Sequence, residues 1–243
     1  TDVRSGLARQ VVETALARGG GTLTQLEAQD VLSAFGVPVA AARFASTIEE
    51  AIAAAEAIGF PVVMKAAGPA ILHKSDVGGV KLSLRDADAV RSTFRGFSRR
   101  LRDRMTGAIV QQMVPGGVEI LVGALSDPTF GPLVVCGSGG VLVDLIADTV
   151  FRIHPLTDLD ADDMVREFKG STLLRGYRGQ PPADEAALKD TLLRVSVMLE
   201  VCPEIQELDI NPVKVLDKGV SAVDVRIRVD RRPPRARTRR IVY

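Results

Sequence analysis

The sequence predicts an α+β protein built as two lobes, and three observations carry that expectation. Helix-like and strand-like segments alternate through the first hundred residues. Three strand-like segments then follow one another, separated by Pro115-Gly116-Gly117 and Ser126-Asp127-Pro128, which suit hairpin turns. The chain closes on two more strands joined through Asp217-Lys218-Gly219. Alternation mixed with consecutive hairpins is the pattern of an α+β fold. At 243 residues there is room for one large domain or two small ones around a real core. Hydrophobic residues at 46% and charged residues at 25% exclude disorder as the main state.

Each element has a local reason. Ser5–Arg18 reads as a helix closed by Gly19–Gly21. Thr24 and Glu27 stand at capping-box spacing and open a helix through Ala34 that Gly36 ends. Val37–Ala45 is extended. Ser46 and Glu49 form a second capping box before an Ala-rich helix that stops at Gly59. Phe60–Ala67 is a short apolar strand carrying one charge, Lys65. Gly68–Gly79 is a loop, Val80–Leu84 a strand and Asp86–Arg102 a helix. The hairpin strands are Ala108–Val114, Val118–Leu125 and Pro132–Gly137. Helices return at Asp158–Phe168 and at Asp184–Glu200, where Leu188, Leu192, Val195 and Leu199 share one face. The last strands are Ile205–Val215 and Val220–Val229.

Several function classes drop out. No apolar run approaches the roughly 18 residues of a membrane helix, and no basic-then-apolar segment opens the chain, so neither a membrane nor secretion is expected. Cys136 and Cys202 make neither a disulfide framework nor a metal spacing; they read as two thiols of a reducing, cytoplasmic compartment. Residues 226–240 hold eight arginines against Asp230, a local balance of +7 within a net charge of +1. This end reads first as a solvated terminus, with contact to nucleic acid or an acidic partner as the alternative. With 4% aromatics and no Trp, stacking platforms for single-stranded nucleic acid are not expected.

Five places carry groups suited to chemistry. Residues 71–80 pack His73, Lys74, Ser75, Gly78 and Gly79 into one loop. Glycines let backbone N–H groups approach phosphate and Lys74 supplies countercharge, although turns explain most Gly-Gly pairs and a lone loop histidine is usually solvated. Lys65, on its apolar strand, needs a partner such as a phosphate or a route to the surface. Period-two alternation puts Glu207, Asp209 and Asn211 on one face of the penultimate strand and Asp224 on the corresponding face of the last. Paired, Asp209, Asn211 and Asp224 make an all-oxygen cluster suited to Mg²⁺, or else the exposed polar face of an edge hairpin. Gln111, Gln112, Met113 and Val114 form a strand-to-turn segment able to meet an adenine edge, with Glu119 placed to accept from ribose hydroxyls or to pair with an arginine. Cys136-Gly137-Ser138-Gly139-Gly140, with Asp144 and Asp148 beyond it, reads as a lid, a phosphate contact or a plain hinge.

In this order the motifs resemble a known family. Phe60-Pro-Val-Val-Met-Lys65, His73-Lys-Ser-Asp-Val-Gly-Gly79, Gln112-Met-Val-Pro-Gly-Gly-Val-Glu119, Asp127-Pro-Thr-Phe-Gly-Pro132, Leu173-Leu-Arg-Gly-Tyr-Arg-Gly179 and Glu207-Leu-Asp-Ile-Asn-Pro212 are similar to the ATP-grasp subunit or domain of the NDP-forming acyl-CoA synthetases. Within that family the likeness is to the β component of the ADP-forming acetyl-CoA synthetases (acetate–CoA ligases), and it runs from about Leu23 to about Val229. The resemblance implies an ATP-grasp fold of two α+β lobes clasping a nucleotide. It implies an N-terminal helix over 1–22, a lobe over 23–106 with the Lys65 strand and a phosphohistidine loop, a second lobe over 107–230 with the metal-binding hairpin, and a basic tail over 231–243.

By the same resemblance His73 is the phosphorylated catalytic residue. Lys65 touches ATP phosphates, with Lys74, Gly78 and Gly79 beside them. Gln112, Met113 and Val114 are the adenine hinge and Glu119 the ribose carboxylate. Asn211 and Asp224, with Asp209 beside them, are the Mg²⁺ ligands. The implied reaction is acyl-CoA + ADP + phosphate ⇌ carboxylate + CoA + ATP through a phosphohistidine. An unperturbed imidazole, with a pKa of roughly 6.5, is largely the neutral nucleophile this requires at cellular pH. The CoA- and acid-binding domains of the family have no counterpart here, so the resemblance implies a CoA-binding α subunit or fused domain as partner, commonly in an α2β2 assembly. The alternative is a catalytically silent regulatory ATP-grasp module of a fused protein such as an acetyltransferase. The Arg-rich end lies outside the family motifs, and His154 reads as structural.

Overall fold

A computed structural model describes residues 2–68, 71, 77–140, 148–176, 179 and 181–231 of the chain. They divide into two compact units, residues 40–115 and residues 1–39 with 116–243. This differs from the expected boundary at 106/107. The strand β5 (Gly107–Gln112) belongs to the small unit because it hydrogen-bonds β2 (Ala42–Ala45) on one side and β3 (Val62–Ala67) on the other. The first helix belongs with the C-terminal half because the two-residue strand β1 (Gly21–Thr22) pairs Gly21 with Val229 and Thr22 with Arg228. A strand that short leaves no periodicity to read in the sequence.

The small unit is a four-stranded antiparallel sheet in the order β2-β5-β3-β4, with β4 at Val80–Leu84. Helices α3 (Ile48–Ile58) and α4 (Ala87–Leu101) contribute Ala51, Ala54, Ala55, Val90, Phe94 and Phe97 to its core, where they meet Val62, Met64, Ala66, Ala108 and Val110. The entry to α3 corrects the expected capping box by one residue. Thr47 is the N-cap and accepts from the Glu50 amide at 3.2 Å, while the Glu50 carboxylate accepts from the Ser46 amide and hydroxyl at 2.7 and 2.8 Å.

The large unit is a seven-stranded antiparallel sheet in the order β1-β11-β9-β6-β7-β8, with β10 also pairing β9. Its strands are β6 (Val118–Asp127), β7 (Gly131–Ser138), β8 (Thr149–Ile153), β9 (Ile205–Val215), β10 (Val220–Ala222) and β11 (Val225–Val229). Helices α1 (Asp2–Ala17), α2 (Gln25–Ala34), α5 (Asp158–Glu167) and α6 (Glu185–Val201) pack into one apolar core with Val122, Ala124, Val134, Cys136, Leu208, Ile210 and Ile227 of the sheet. The expected capping box opens α2: Thr24 accepts from the Glu27 amide at 3.3 Å, and Glu27 accepts from the Thr24 amide at 2.8 Å. Gly36, at φ +76°, ends that helix where Arg194 reaches across to the Phe35 carbonyl at 2.8 Å, and a Cβ at Gly36 would collide with the guanidinium. The expected single strand over 220–229 is two, β10 and β11, interrupted at Val223–Asp224. Strand β8 had no expectation.

Asp148 ties the β7–β8 segment to the 3₁₀ helix Lys169–Arg175. Its Oδ2 accepts from the Ser138 hydroxyl and the Gly170 amide, both at 2.7 Å, and its Oδ1 accepts from the Lys169 amide at 2.8 Å. Burial alone would raise its pKa, but these hydrogen bonds and the Lys169 charge outweigh it and hold the carboxyl below its usual range. The structural role accounts for this acid. Asp148→Ala is expected to cost about 2 kcal/mol, because three donors lose their acceptor, and to lower Tm by roughly 4–8 °C. The folded pKa is depressed, so the stabilisation is present above the unfolded-state value of 3.8 and fades as pH falls through the folded value. Thermal melts of both proteins from pH 7 to pH 3 check this by the narrowing gap between them.

Candidate functional site

Strand β9 is buried on alternate residues at Leu208 and Ile210, then at Val213 and Val215, so its phase slips by one at Asn211–Pro212. The slip is a bulge against β6, where Ile120 pairs with Val213 but Val122 pairs with Ile210. Proline tolerates the position because a bulge relieves it of a ladder hydrogen bond. On the other side β9 keeps its register from Glu207 onward, its own shift lying further back between Arg228 and Val229. Asp209 faces Arg226, and the ladder continues through the break in the last hairpin by Asn211 N–H to the Asp224 carbonyl (3.1 Å) and Val223 N–H to the Pro212 carbonyl (3.0 Å). Asp224 is therefore directly opposite Asn211 and diagonal to Asp209, all on the sheet face away from the core.

This arrangement leaves one group unsatisfied. Asp209 Oδ1 is sealed from solvent with no hydrogen-bond partner among the described residues. Burial, then the charges of Asp224 and Glu207, push its pKa up against the opposing effect of Arg226. Asn211 Oδ1 accepts from the Gly140 amide at 2.8 Å. Gly139 donates to the Glu119 carbonyl at 2.9 Å, and Gly140 lies so close to the Glu119 carboxylate, at φ +63°, that a Cβ there would collide with it. Glu119 is exposed and stands 3.7 Å from Lys214 Nζ. Among the described residues no three His, Cys, Asp or Glu side chains cluster as metal ligands. The group here is two acids and an amide, all hard oxygen donors, and the unpartnered buried carboxylate oxygen fits a small divalent cation such as Mg²⁺.

In the small unit Lys65 pairs with Ile109 and Val80, and Val63 pairs with Gln111. Lys65 and Gln111 thus share the sheet face opposite Met64 and Val110 of the core. Lys65 is only 6% exposed, so its side chain does not run to the surface as one reading allowed. Gln112 is exposed and its amide is taken by the Ala41 carbonyl at 2.8 Å, while Met113 Sδ accepts from the Ser83 hydroxyl at 3.4 Å. Of the loop, Gly79 is buried and its carbonyl accepts from Ala66 at 2.7 Å, and Gly78 accepts from the Arg100 guanidinium. His73 and Lys74 lie outside the described residues, as does Asp144. A surface depression of about 400 Å³ lined by Ile48, Phe94, Arg95, Ser98 and Arg99 involves none of these groups.

Of three further residues at these places, Gln111 and Gly140 stood in the sequence only within candidate segments, and Lys214 had no assigned role. Gln111 is fully buried on the face of Lys65, and a glutamine in an apolar strand was the available signal. Lys214 partners Glu119 where an arginine was anticipated, and the Gly140 amide holds Asn211. The first contact follows from cross-strand register and the second joins residues 71 apart in the chain, so neither leaves a local signal. His154 is structural as expected, with Nδ1 3.0 Å from the Ser196 hydroxyl. Cys136 and Cys202 are buried thiols, pushed by burial to about 12 and about 11 respectively. No helix among the described residues is long and apolar enough to cross a membrane.

Residues 14–229 match the ATP-grasp domain family. The chain belongs to it. Among ATP-grasp proteins it is 38% identical over 229 residues to the Pyrococcus furiosus acetate–CoA ligase [ADP-forming] I subunit beta, covering 92% of this chain and 98% of that one. It is 44% identical over 224 residues to the Archaeoglobus fulgidus acetate–CoA ligase [ADP-forming] I, where it covers 90% of this chain but spans only 33% of the relative. Among solved structures, the Candidatus Korarchaeum cryptofilum dinucleotide-forming acetyl-coenzyme A synthetase 1 in complex with coenzyme A, Ca-AMPCP and HgCl⁺ superimposes with TM-score 0.87 at 41% identity over 92% of this chain and 100% of that one. The same synthetase with coenzyme A and Mg-AMPPCP, its phosphohistidine segment pointing towards the nucleotide binding site, gives TM-score 0.83 at 41% identity, with the same coverage. The expected ATP-grasp fold of α+β type is borne out.

Asp209→Asn removes an unpaired buried charge. In cation-free buffer at pH 7 its Tm is expected to rise by about 2–4 °C, the shift for roughly 1 kcal/mol in a chain of this size. The folded pKa is raised, so the wild-type penalty is full above that value and disappears as pH falls through it, and the two melting curves converge in acid. Millimolar Mg²⁺ is expected to stabilise the wild type and leave the variant unchanged.

Proposed function

We propose that the chain is the nucleotide-binding phosphotransfer component of an ADP-forming acyl-CoA synthetase, an acid–thiol ligase working with a CoA-binding α component. The reaction is acyl-CoA + ADP + phosphate ⇌ carboxylate + CoA + ATP. The observation that carries the reading is the buried, unpartnered Asp209 oxygen beside Asp224 and Asn211, a place that a cation completes. The Pyrococcus furiosus relative, matched over 98% of its length, supports a separate β subunit. The Archaeoglobus fulgidus relative supports equally a domain of a longer polypeptide.

In this reading Asp209, Asn211 and Asp224 hold Mg²⁺, which neutralises phosphate charge when bound. Glu119, steadied by Lys214, accepts from the ribose hydroxyls. The segment Gln112–Val114 meets the adenine, with Gln111 a further candidate, and Lys65 meets the phosphates. Lys74 and the Gly78–Gly79 backbone attend the histidine loop. A lone pair of neutral His73 attacks the phosphorus of an acyl phosphate on the CoA-binding component; the N–P bond forms, the P–O bond to the acyl group breaks, and carboxylate leaves. A terminal oxygen of ADP then attacks the same phosphorus, and the N–P bond breaks to return the imidazole and release ATP. Positioning and charge neutralisation are all the nucleotide site then has to supply.

The silent regulatory module is not favoured: Lys65, His73, Asn211 and Asp224 are all present, and the relatives carry ligase names. An α2β2 assembly and a cytoplasmic setting, consistent with the two buried thiols, complete the proposal.

Incubation with Mg²⁺ and γ-³²P-ATP is expected to label His73 with an acid-labile phosphate that ADP discharges, mapped by mass spectrometry. His73→Ala is expected to take no label, and Lys65→Ala to label roughly 100-fold more slowly. Label on another residue, or none in the wild type, refutes the assignment.

A further inference from the structure

Two consecutive glycines cross β6 beside the cation group, and the fold excludes a side chain from each for a different reason. Strand β7 pairs Ser138 with Ile120, and just past that pair Gly139 donates to the Glu119 carbonyl at 2.9 Å. A Cβ on Gly139 would stand 2.6–2.8 Å from backbone atoms of Ile120 and Glu119, so the chain here lies directly against the strand. Gly140 takes φ +63° and donates to Asn211 Oδ1 at 2.8 Å. Its place is thus fixed from two sides, by β6 through its neighbour and by β9 through its own N–H. What a Cβ on Gly140 would meet is not backbone but the Oε2 end of the Glu119 side chain. That carboxylate oxygen fills the space any other residue would take for itself.

Glu119 is otherwise weakly held. Its side chain is 44% exposed, and Lys214, opposite it in the β6–β9 ladder, stands 3.7 Å from Oε1. An ion pair that open to water contributes little and leaves a long side chain free to change rotamer. The lysine draws one oxygen, and the bare Cα of Gly140 leaves the other a defined place against the backbone. We propose that Gly140 is a specificity-determining positioning residue: by lacking a side chain it sets the Glu119 carboxylate where it accepts from ribose hydroxyls, and so fixes the preference for a ribonucleotide. The proposal rests on the role given to Glu119 above. Selection through a hydroxyl needs a fixed acceptor, because a hydrogen bond weakens steeply as it is misaligned. Alanine at this position keeps the N–H that Asn211 uses, so it displaces the acid while leaving the cation group formed.

The test is equilibrium binding of Mg-ADP, Mg-2′-deoxy-ADP and Mg-3′-deoxy-ADP to the full chain, measured by calorimetry. The wild type is expected to bind ADP roughly tenfold or more tightly than at least one deoxy analogue, the size of a hydrogen bond to a charged acceptor. In Gly140→Ala that ratio is expected to fall to about threefold or less, while the rise in Tm given by millimolar Mg²⁺ alone is retained. The left-handed backbone is expected to lower the variant's own Tm by roughly 2–8 °C. Gly140→Asn, which tolerates positive φ better, repeats the measurement should the alanine variant misfold. Glu119→Ala is expected to lose the same discrimination, and adding Gly140→Ala to it is expected to change the ratio no further. A wild-type ratio in the Gly140 variants overturns the proposal, as does a further fall in the double variant. Loss of the Mg²⁺ response together with the ratio means that the whole glycine segment has moved, and it also overturns the selective role. A wild type that binds all three nucleotides alike, or none of them, overturns the reading of Glu119 instead.

Discussion

A carboxylate oxygen buried without a partner is the constraint around which the large unit is arranged. Asp209 sits opposite Arg226, yet burial and the neighbouring charges of Asp224 and Glu207 outweigh that arginine. A fold does not keep such a group for stability, since an ionised acid out of water costs more than one cross-strand arginine returns. The surroundings are built to keep it there. The bulge at Asn211–Pro212 restores core packing at Val213 and Val215 while leaving Asn211 on the same face as Asp209. The Gly140 amide then orients the Asn211 carboxamide, from a backbone conformation at φ +63° that favours glycine.

The small unit likewise places a charged group on the sheet face away from its core. Val62, Met64 and Ala66 fill the core from one side of β3, and the opposite side carries Val63 and a covered Lys65. Gln111 joins it from the neighbouring strand. In each unit helices cover one sheet face, and the other face holds the polar groups. Asp148 shows the contrast. It too is a buried acid following a glycine-rich stretch, but three donors satisfy it, and nothing about it calls for a ligand.

Much of this was legible in the residues. The capping box at Thr24 and Glu27, the strand Val80–Leu84, the strand Ile205–Val215 and the face shared by Asp209, Asn211 and Asp224 all rest on local periodicity or on hydrogen bonds closed within four residues. The cap of α3 slipped from Ser46 to Thr47 because both are good caps and only the turn geometry chooses between them.

What the chain alone determined, then, is the character of each segment and the spacing of its chemistry: which strands carry acids on alternate residues, where a lysine interrupts an apolar run, which motifs follow in family order. Only the tertiary structure decided that β1 closes onto β11, that β5 completes the small sheet, that Lys214 rather than an arginine meets Glu119, and that one oxygen of Asp209 finds no donor. The reason is the range of the forces involved. Periodicity and capping act over a few residues, whereas register, burial and the orphaning of a polar atom depend on strands that meet from about forty to about two hundred residues apart.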